Sequence, residues 1–151
     1  MRIGVVDTTF AKVDMGAVAV SELRKNGVKF ERATVPGIKD LPVECKMLLE
    51  NGCDVCIALG MPGKKEIDKQ CAHEASLGII MAQLLTNKHI VEVFVHEDEA
   101  ENEEELYRIC ADRVRKHVQN ALLLAQDKKN LIRMAGMGLR QGSEHVGPIR
   151  R

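Results

Sequence analysis

The sequence contains few aromatic residues and carries no net charge. Its 151 residues include three Phe, one Tyr and no Trp, and 22 Lys and Arg balance 22 Asp and Glu. A neutral chain has no overall field that would concentrate nucleic acid or an anionic membrane surface. The scarcity of aromatics also argues against platforms on which the bases of single-stranded nucleic acid stack. We therefore expect neither nucleic acid nor membrane as a partner.

Long apolar runs and a disulfide framework are lacking as well. No apolar run approaches the roughly 20 residues that a membrane-spanning helix requires. The segment from Met1 to Asp7 is too short and too soon charged for a signal peptide, which predicts a cytoplasmic protein. Five Cys is an odd number. Because Cys45, Cys56 and Cys110 fall in periodic apolar segments, we predict buried thiols rather than disulfides.

Strand-like and helix-like segments alternate along the chain. The predicted strands cover 2–6, 28–35, 54–59 and 89–96, and the predicted helices cover 11–25, 41–49, 66–85, 103–126 and, as a short last helix, 131–137. Such alternation implies a parallel sheet with right-handed crossovers and helices on both faces. We predict a single α/β domain over 1–151, in three α/β/α layers around a four-stranded parallel sheet, with 138–151 as a tail.

The stretch over 59–75 joins a buried strand to a helix through a loop of Gly and Pro. Open α/β sheets bind ligands at the carboxyl ends of their strands, where helix N–H groups are also free. This loop is therefore predicted to form the floor of a site. Its candidate residues for binding or proton transfer are Gly60, Lys64, Lys65, His73 and Glu74.

The loops over 7–10, 36–40 and 96–99 follow the other strands and should converge on the same edge. They contain the candidate binding residues Thr9, Phe10, Gly37 and Asp40. Phe10 is interpreted either as a ring that stacks on a planar ligand or as a hydrophobic staple at a helix entry. Asp40 either accepts hydrogen bonds from ligand hydroxyls or caps the helix that follows it.

Other polar groups also have two interpretations. His73 and Glu74 are placed for acid–base work, or are exposed helix residues without a chemical role. Glu97 and Asp98 could hold a hard divalent cation, or belong to a solvated loop. The C-x-x-C pattern of Cys53 and Cys56 is interpreted as core, with metal or redox use as the minor alternative.

Blocks along nearly the whole chain match a known family. They are Asp7-Thr-Thr-Phe-Ala-Lys-Val-Asp-Met15, Val35-Pro-Gly-Ile-Lys-Asp-Leu-Pro42, Ala58-Leu-Gly-Met-Pro-Gly63, Cys71-Ala-His-Glu-Ala-Ser-Leu-Gly78, Thr86-Asn-Lys-His89, Val93-Phe-Val-His-Glu-Asp-Glu-Ala100 and, in the tail, Arg133-Met-Ala-Gly136 and Gly138-Leu-Arg-Gln-Gly142. In these blocks the chain resembles the archaeal riboflavin synthases, which are relatives of lumazine synthase. The resemblance implies a flavodoxin-like, lumazine synthase-like fold.

The resemblance also implies a reaction and an assembly. Two molecules of 6,7-dimethyl-8-ribityllumazine dismutate to riboflavin and 5-amino-6-(ribitylamino)uracil, without a redox cofactor and with a divalent metal, usually Mg²⁺. Homopentamers with active sites shared between neighbours are implied, which agrees with a helix over 77–85 that is apolar nearly all round. The catalytic His segment of lumazine synthase is absent here.

Roles for single residues follow as hypotheses from the resemblance. His73 or Glu74 would move protons, Phe10 would stack on the lumazine, and Asp40, in place of a ribityl-binding Glu, would accept from the ribityl chain. Lys64 or Lys65 would stabilise the anionic pyrimidinedione, and Glu97 or Asp98 would bind the metal. Lumazine synthase activity, or lumazine or flavin binding without turnover, are the alternative functions.

Overall fold

The computed structural model describes residues 1–140 and 143–150. Four parallel strands form one sheet in the order β2-β1-β3-β4, with β1 at Arg2–Thr8, β2 at Lys29–Val35, β3 at Val55–Gly60 and β4 at Ile90–Phe94. The helices are α1 (Met15–Lys25), α2 (Leu41–Glu50), α3 (Glu66–Thr86), α4 (Glu103–Gln126) and α5 (Lys128–Met134). The predicted three-layer fold with a four-stranded parallel sheet is confirmed.

Two apolar cores lie on opposite faces of the sheet. Ile57 and Val93 pack with Val114 of α4 on one face, where α1 also lies. Val6 and Ala58 pack with α2 and α3 on the other. Because β1 and β3 are covered on both faces, their sequences are continuous apolar runs rather than alternating ones.

The cysteines are free thiols, and four of them are buried: Cys45, Cys53, Cys56 and Cys110. The prediction of buried thiols is confirmed, and the core interpretation of Cys53 and Cys56 agrees with their burial. Among the described residues, no helix is both long and apolar enough to cross a bilayer.

Two helices differ from the prediction by several residues. The first helix begins at Met15 rather than at residue 11, because Asp14 caps it by accepting a hydrogen bond from Ala17 N at 3.0 Å. The last helix begins at Lys128 and ends at Met134, about three residues early, because the Asp127 side chain caps it. Of the tail predicted over 138–151, residues 141, 142 and 151 lie outside the described residues.

The strand ends bring their loops together as predicted. Thr8 pairs with Val35, and Gly60 pairs with Phe94, in the parallel registers. Backbone hydrogen bonds continue just beyond the strands, from Thr9 N to Val35 O at 2.9 Å and from Val95 N to Gly60 O at 3.0 Å. The four loops therefore leave the sheet side by side at its carboxyl edge.

Candidate functional site

A first cavity of about 470 Å³ opens at this edge, between the loops that follow β1, β2 and β3. Its lining includes Phe10, Gly37, Ile38, Asp40, Met61 and Cys71. Three of the predicted binding residues, Phe10, Gly37 and Asp40, are therefore brought together. The lining combines an aromatic ring and apolar side chains with a few polar groups, among them Lys39 and the carboxylates of Asp40, Asp68 and Glu97, which is the usual make-up of a small-molecule site.

Phe10 presents most of its ring to solvent, with 75% of its surface exposed. A Cβ at Gly37 would lie 3.4 Å from Phe10 Cε2, so the ring lies directly against that glycine. The staple interpretation of Phe10 is wrong, because α1 begins only at Met15 and the ring is not packed on it. Thr9 uses its hydroxyl to donate to Pro36 O at 3.2 Å, which ties the first loop to the second.

Asp40 turns its carboxylate back over the loop. Its Oδ2 accepts from Gly37 N at 3.1 Å, across a 3-10 turn at Ile38–Asp40. It makes no side-chain cap on α2, so the capping interpretation is wrong in the form predicted. The carboxylate is held in the cavity wall, where it is available to a ligand.

A polar network that the sequence did not reveal anchors the first loop. Asp7 is 5% exposed, and its two oxygens accept from Arg32 Nη2 and Thr34 Oγ1, both at 2.6 Å. Arg32 also donates to Asp14 at 2.7 Å. The backbone N–H of Ala17 and this guanidinium hold the pKa of Asp14 below its usual value. The network fixes the end of β1 against β2, just before Thr9 and Phe10.

Gly60, Lys64 and Lys65 lie outside the lining of the first cavity. A Cβ at Gly60 would stand 2.7 Å from Ile38 Cγ2 and 2.9 Å from Phe94 Cε1, so this glycine makes room for both side chains. The two lysines are exposed at the entry to α3. Lys65 N donates to Asp68 Oδ2 at 3.1 Å, which caps the helix. Ligand contacts of the lysines remain a prediction.

Helix α3 separates the two predicted proton carriers. Glu74 is exposed, and its Oε2 lies 2.6 Å from Lys39 Nζ. This ion pair lowers the pKa of Glu74 and raises that of Lys39. His73 instead lines a second cavity, on the side of α3 away from the first. Adjacent residues of a helix do not face the same way, so the two are placed apart.

The second cavity, of about 520 Å³, lies between α3, α4 and the outer edge of β4. It is lined by His73, Ser76, Glu92, Phe94, His96 and His117, with Lys69, Ala72 and Arg113. Ser76 Oγ donates to Glu92 Oε1. Burial raises the pKa of Glu92, and burial together with the Arg113 charge lowers that of His117 to about 4.

The carboxylates predicted to bind metal are paired with lysines. Glu97 Oε1 lies 3.7 Å from Lys12 Nζ, and Asp98 Oδ2 lies 2.8 Å from Lys69 Nζ. Within the part of the chain that the structure describes, no three His, Cys, Asp or Glu side chains are grouped so that they could hold a metal ion. As placed, both carboxylates are paired with lysines that a cation would have to displace, and metal binding by Glu97 or Asp98 remains a prediction.

Similarity to known proteins extends over the whole chain. The profile of the 6,7-dimethyl-8-ribityllumazine synthase family matches residues 1–129. A curated riboflavin synthase from Methanothermobacter thermautotrophicus is 55% identical over 152 residues, which cover 99% of each chain. Another from Archaeoglobus fulgidus is 49% identical, with 99% of each chain covered. A third, from Aeropyrum pernix, is 51% identical over 98% of this chain and 97% of its own.

Proposed function

This chain belongs to the 6,7-dimethyl-8-ribityllumazine synthase family, and we propose that within it the chain acts as an archaeal-type riboflavin synthase. One observation carries the proposal. The family profile ends at residue 129, whereas the curated riboflavin synthases match almost the full chain at 49–55% identity. The reaction is the dismutation of two 6,7-dimethyl-8-ribityllumazine molecules to riboflavin and 5-amino-6-(ribitylamino)uracil. We propose that the protein acts in the cytoplasm.

The first cavity supports this assignment. Its exposed Phe10 ring offers a stacking surface to a flat heterocycle, and such contacts contribute about 0.5–1.5 kcal/mol beyond the area they bury. Asp40 lies on the same wall, and its Oδ2 is oriented by Gly37 N. We assign Asp40 Oδ1 to the hydroxyls of the ribityl chain.

The chemistry of the dismutation makes modest demands on the protein. The two products together contain the atoms of two lumazines, so no external oxidant or reductant enters. One lumazine must lose a proton from its C7 methyl group, and the second must lie against it for addition of the resulting carbanion. Holding two reactants in register contributes much of such a rate enhancement. The protein must therefore bind, align and move protons.

The exposed apolar side chains of α2 and α3 favour an oligomer. In the second half of α3 these side chains follow helical spacing and are 49–78% exposed, at Leu77, Ile80, Met81, Leu84 and Leu85. On α2, Val43 is 59% exposed and Met47 is 49% exposed. Monomers seldom expose an apolar stripe of this kind. We propose that a second copy of the chain covers it, in a homopentamer of the type that the resemblance implies.

Substrate choice tests the proposed function. The purified protein is incubated with 6,7-dimethyl-8-ribityllumazine alone, and in parallel with ribitylaminouracil and a four-carbon phosphate. We expect riboflavin from the first incubation, with one ribitylaminouracil released for every two lumazines consumed. Lumazine formed in the second incubation would instead identify a lumazine synthase. Tight lumazine binding without any product would identify a carrier.

A further inference from the structure

Glu92 is a half-buried carboxyl group at the boundary between an apolar core and the second cavity. It lies in the middle of β4, between Val91 and Val93, and points to the face that α3 covers. Its neighbours on that face, Ile90 and Phe94, pack into the apolar core. Placing a carboxyl group there costs free energy unless it is satisfied, and the hydroxyl of Ser76 supplies a hydrogen bond to Oε1.

The cations near Glu92 are already paired with other groups. Arg113 donates to Glu99 at 2.6 and 2.8 Å and to Phe94 O at 3.0 Å. Lys69 is paired with Asp98 at 2.8 Å. Among the described residues, the titratable or charged groups that share the cavity with Glu92 are Lys69, His73, His96, Arg113 and His117. Glu92 thus has no ion-pair partner there, and burial raises its pKa towards the range useful for proton transfer.

His117 provides a second, independent sign that the cavity receives a polar occupant. Its Nδ1 is buried and has no hydrogen-bond partner in the described part of the chain. Buried polar atoms are nearly always paired, and an orphan calls for an explanation. Because burial keeps this imidazole neutral near pH 7, it can donate a hydrogen bond to an uncharged heterocycle or a hydroxyl group, or accept one from it.

We propose that Glu92, held by Ser76, is a proton-transfer residue, and that in the proposed oligomer it acts on a lumazine whose ring is held by the first cavity of a neighbouring copy and whose reacting end enters this second cavity. Glu92 Oε2 takes a proton from the C7 methyl group, and the electron pair of that C–H bond is delocalised into the pteridine ring. The same carboxyl group returns the proton when the ribitylaminouracil product is eliminated. His73 shares the cavity with Glu92, whereas Glu74 does not. This inference rests on the proposed function.

Exchange of the C7 methyl protons with deuterium isolates this step from formation of the new ring. The Glu92→Gln variant keeps an amide oxygen that can accept from Ser76 but cannot take up a proton. By proton NMR in D₂O we expect enzyme-catalysed exchange and kcat to fall about 10²–10⁴-fold, the usual effect of removing a general base. Lumazine affinity should change less than about threefold. Glu104→Gln, at an exposed carboxyl in the first turn of α4, should leave exchange and kcat unchanged.

The pH profile gives a second readout and covers the case in which Glu92→Gln does not fold. In the wild type the acidic limb of kcat/KM should lie above the usual Glu range, and in Glu92→Asp it should move. The inference would be overturned if Glu92→Gln exchanged the C7 methyl protons and turned over substrate at wild-type rates. It would also be overturned if the acidic limb of kcat/KM stayed unchanged in Glu92→Asp. A wild-type protein that forms no riboflavin would overturn the proposed function, whereas riboflavin formation at equal rates in wild type and Glu92→Gln would overturn this inference alone.

Discussion

The ring of Phe10 lies against Gly37, so that a Cβ added at Gly37 would stand 3.4 Å from Phe10 Cε2. Phe10→Ala removes the exposed stacking surface without disturbing a core. We expect the Kd for lumazine to rise about twofold to tenfold, in line with 0.5–1.5 kcal/mol for an aromatic pair. Lumazine fluorescence measures this cleanly, since the protein contains no Trp.

Two further variants separate stacking from simple bulk. Phe10→Tyr keeps the ring and should bind as the wild type does. Gly37→Ala adds a Cβ at the edge of van der Waals contact, and because Gly37 is extended at φ −136° no backbone strain accompanies it. It should displace the ring slightly and weaken binding less than Phe10→Ala. Unchanged affinity in Phe10→Ala would remove the ring from the site.

Gly60→Ala tests whether this glycine serves the cavity walls. The new Cβ would meet Ile38 Cγ2 at 2.7 Å and Phe94 Cε1 at 2.9 Å. Overpacking of this kind costs about 1–3 kcal/mol of unfolding free energy, measured by urea titration. KM should rise as well, because Ile38 lines the first cavity and Phe94 the second.

A double-mutant cycle identifies the clash itself. Ile38→Ala removes the methyl group that the new Cβ would meet. In Ile38→Ala combined with Gly60→Ala, we expect the destabilisation to be smaller than the sum of the two single changes, since the two side chains are in contact. Strict additivity would show that Gly60 and Ile38 do not compete for space.

Leu84→Glu should disrupt the oligomer. Leu84 is 78% exposed on the apolar stripe of α3, and a charge there would have to be buried against a partner copy. Ile132→Glu is the matched control, because Ile132 is 75% exposed on a different helix, α5. Light scattering after gel filtration should show a smaller particle for Leu84→Glu alone. Equal masses for the two variants would show that the interface lies elsewhere.

The Mg²⁺ requirement remains a prediction from the resemblance, and chelation tests it. We expect EDTA to lower riboflavin formation and added Mg²⁺ to restore it. Mg²⁺ usually binds through one or two carboxylates and keeps several waters. If Asp98 is a ligand, Asp98→Asn should raise the Mg²⁺ concentration needed for half-maximal rate. Asp112→Asn, which loses a comparable ion pair with Lys116 at 2.9 Å, should not.

The sheet and its functional edge could be predicted because they depend on local signals. Apolar runs specify the strands, and Gly or Pro after them specifies where the loops begin. The start of α1 was predicted too early because the apolar pattern extends back to Val13, and only the cap at Asp14 marks the true start.

The second cavity could not be predicted, because its groups meet only in three dimensions. Ser76 and Glu92 are sixteen residues apart and come together across the layer between α3 and β4. His73 and Glu74 looked like a pair in the sequence, but they lie on different sides of α3. The one local signal in β4 is Glu92, a single charged residue within an apolar run. Because the sequence does not show its partner, its side chain is easily assigned to the solvent-facing side.

His117 couples the second cavity to acid stability. Burial and the nearby Arg113 charge lower its pKa from 6.5 to about 4. Between these two values the unfolded chain binds a proton at this residue and the folded chain does not. The free energy of unfolding must therefore fall as the pH drops through that window.

His117→Gln should remove this component of the pH dependence. The full shift would correspond to about 3 kcal/mol, but the side chain is partly exposed and solvent screens it, so we expect about 1–2 kcal/mol. Urea titrations at pH 7 and pH 4.5 give the loss of unfolding free energy for each protein, and the loss should be smaller in the variant than in the wild type. His89→Gln, at an exposed position, should follow the wild type. Equal losses in wild type and His117→Gln would show that His117 is already solvated in the folded chain, and its Nδ1 would then no longer mark the second cavity as a place for a polar ligand.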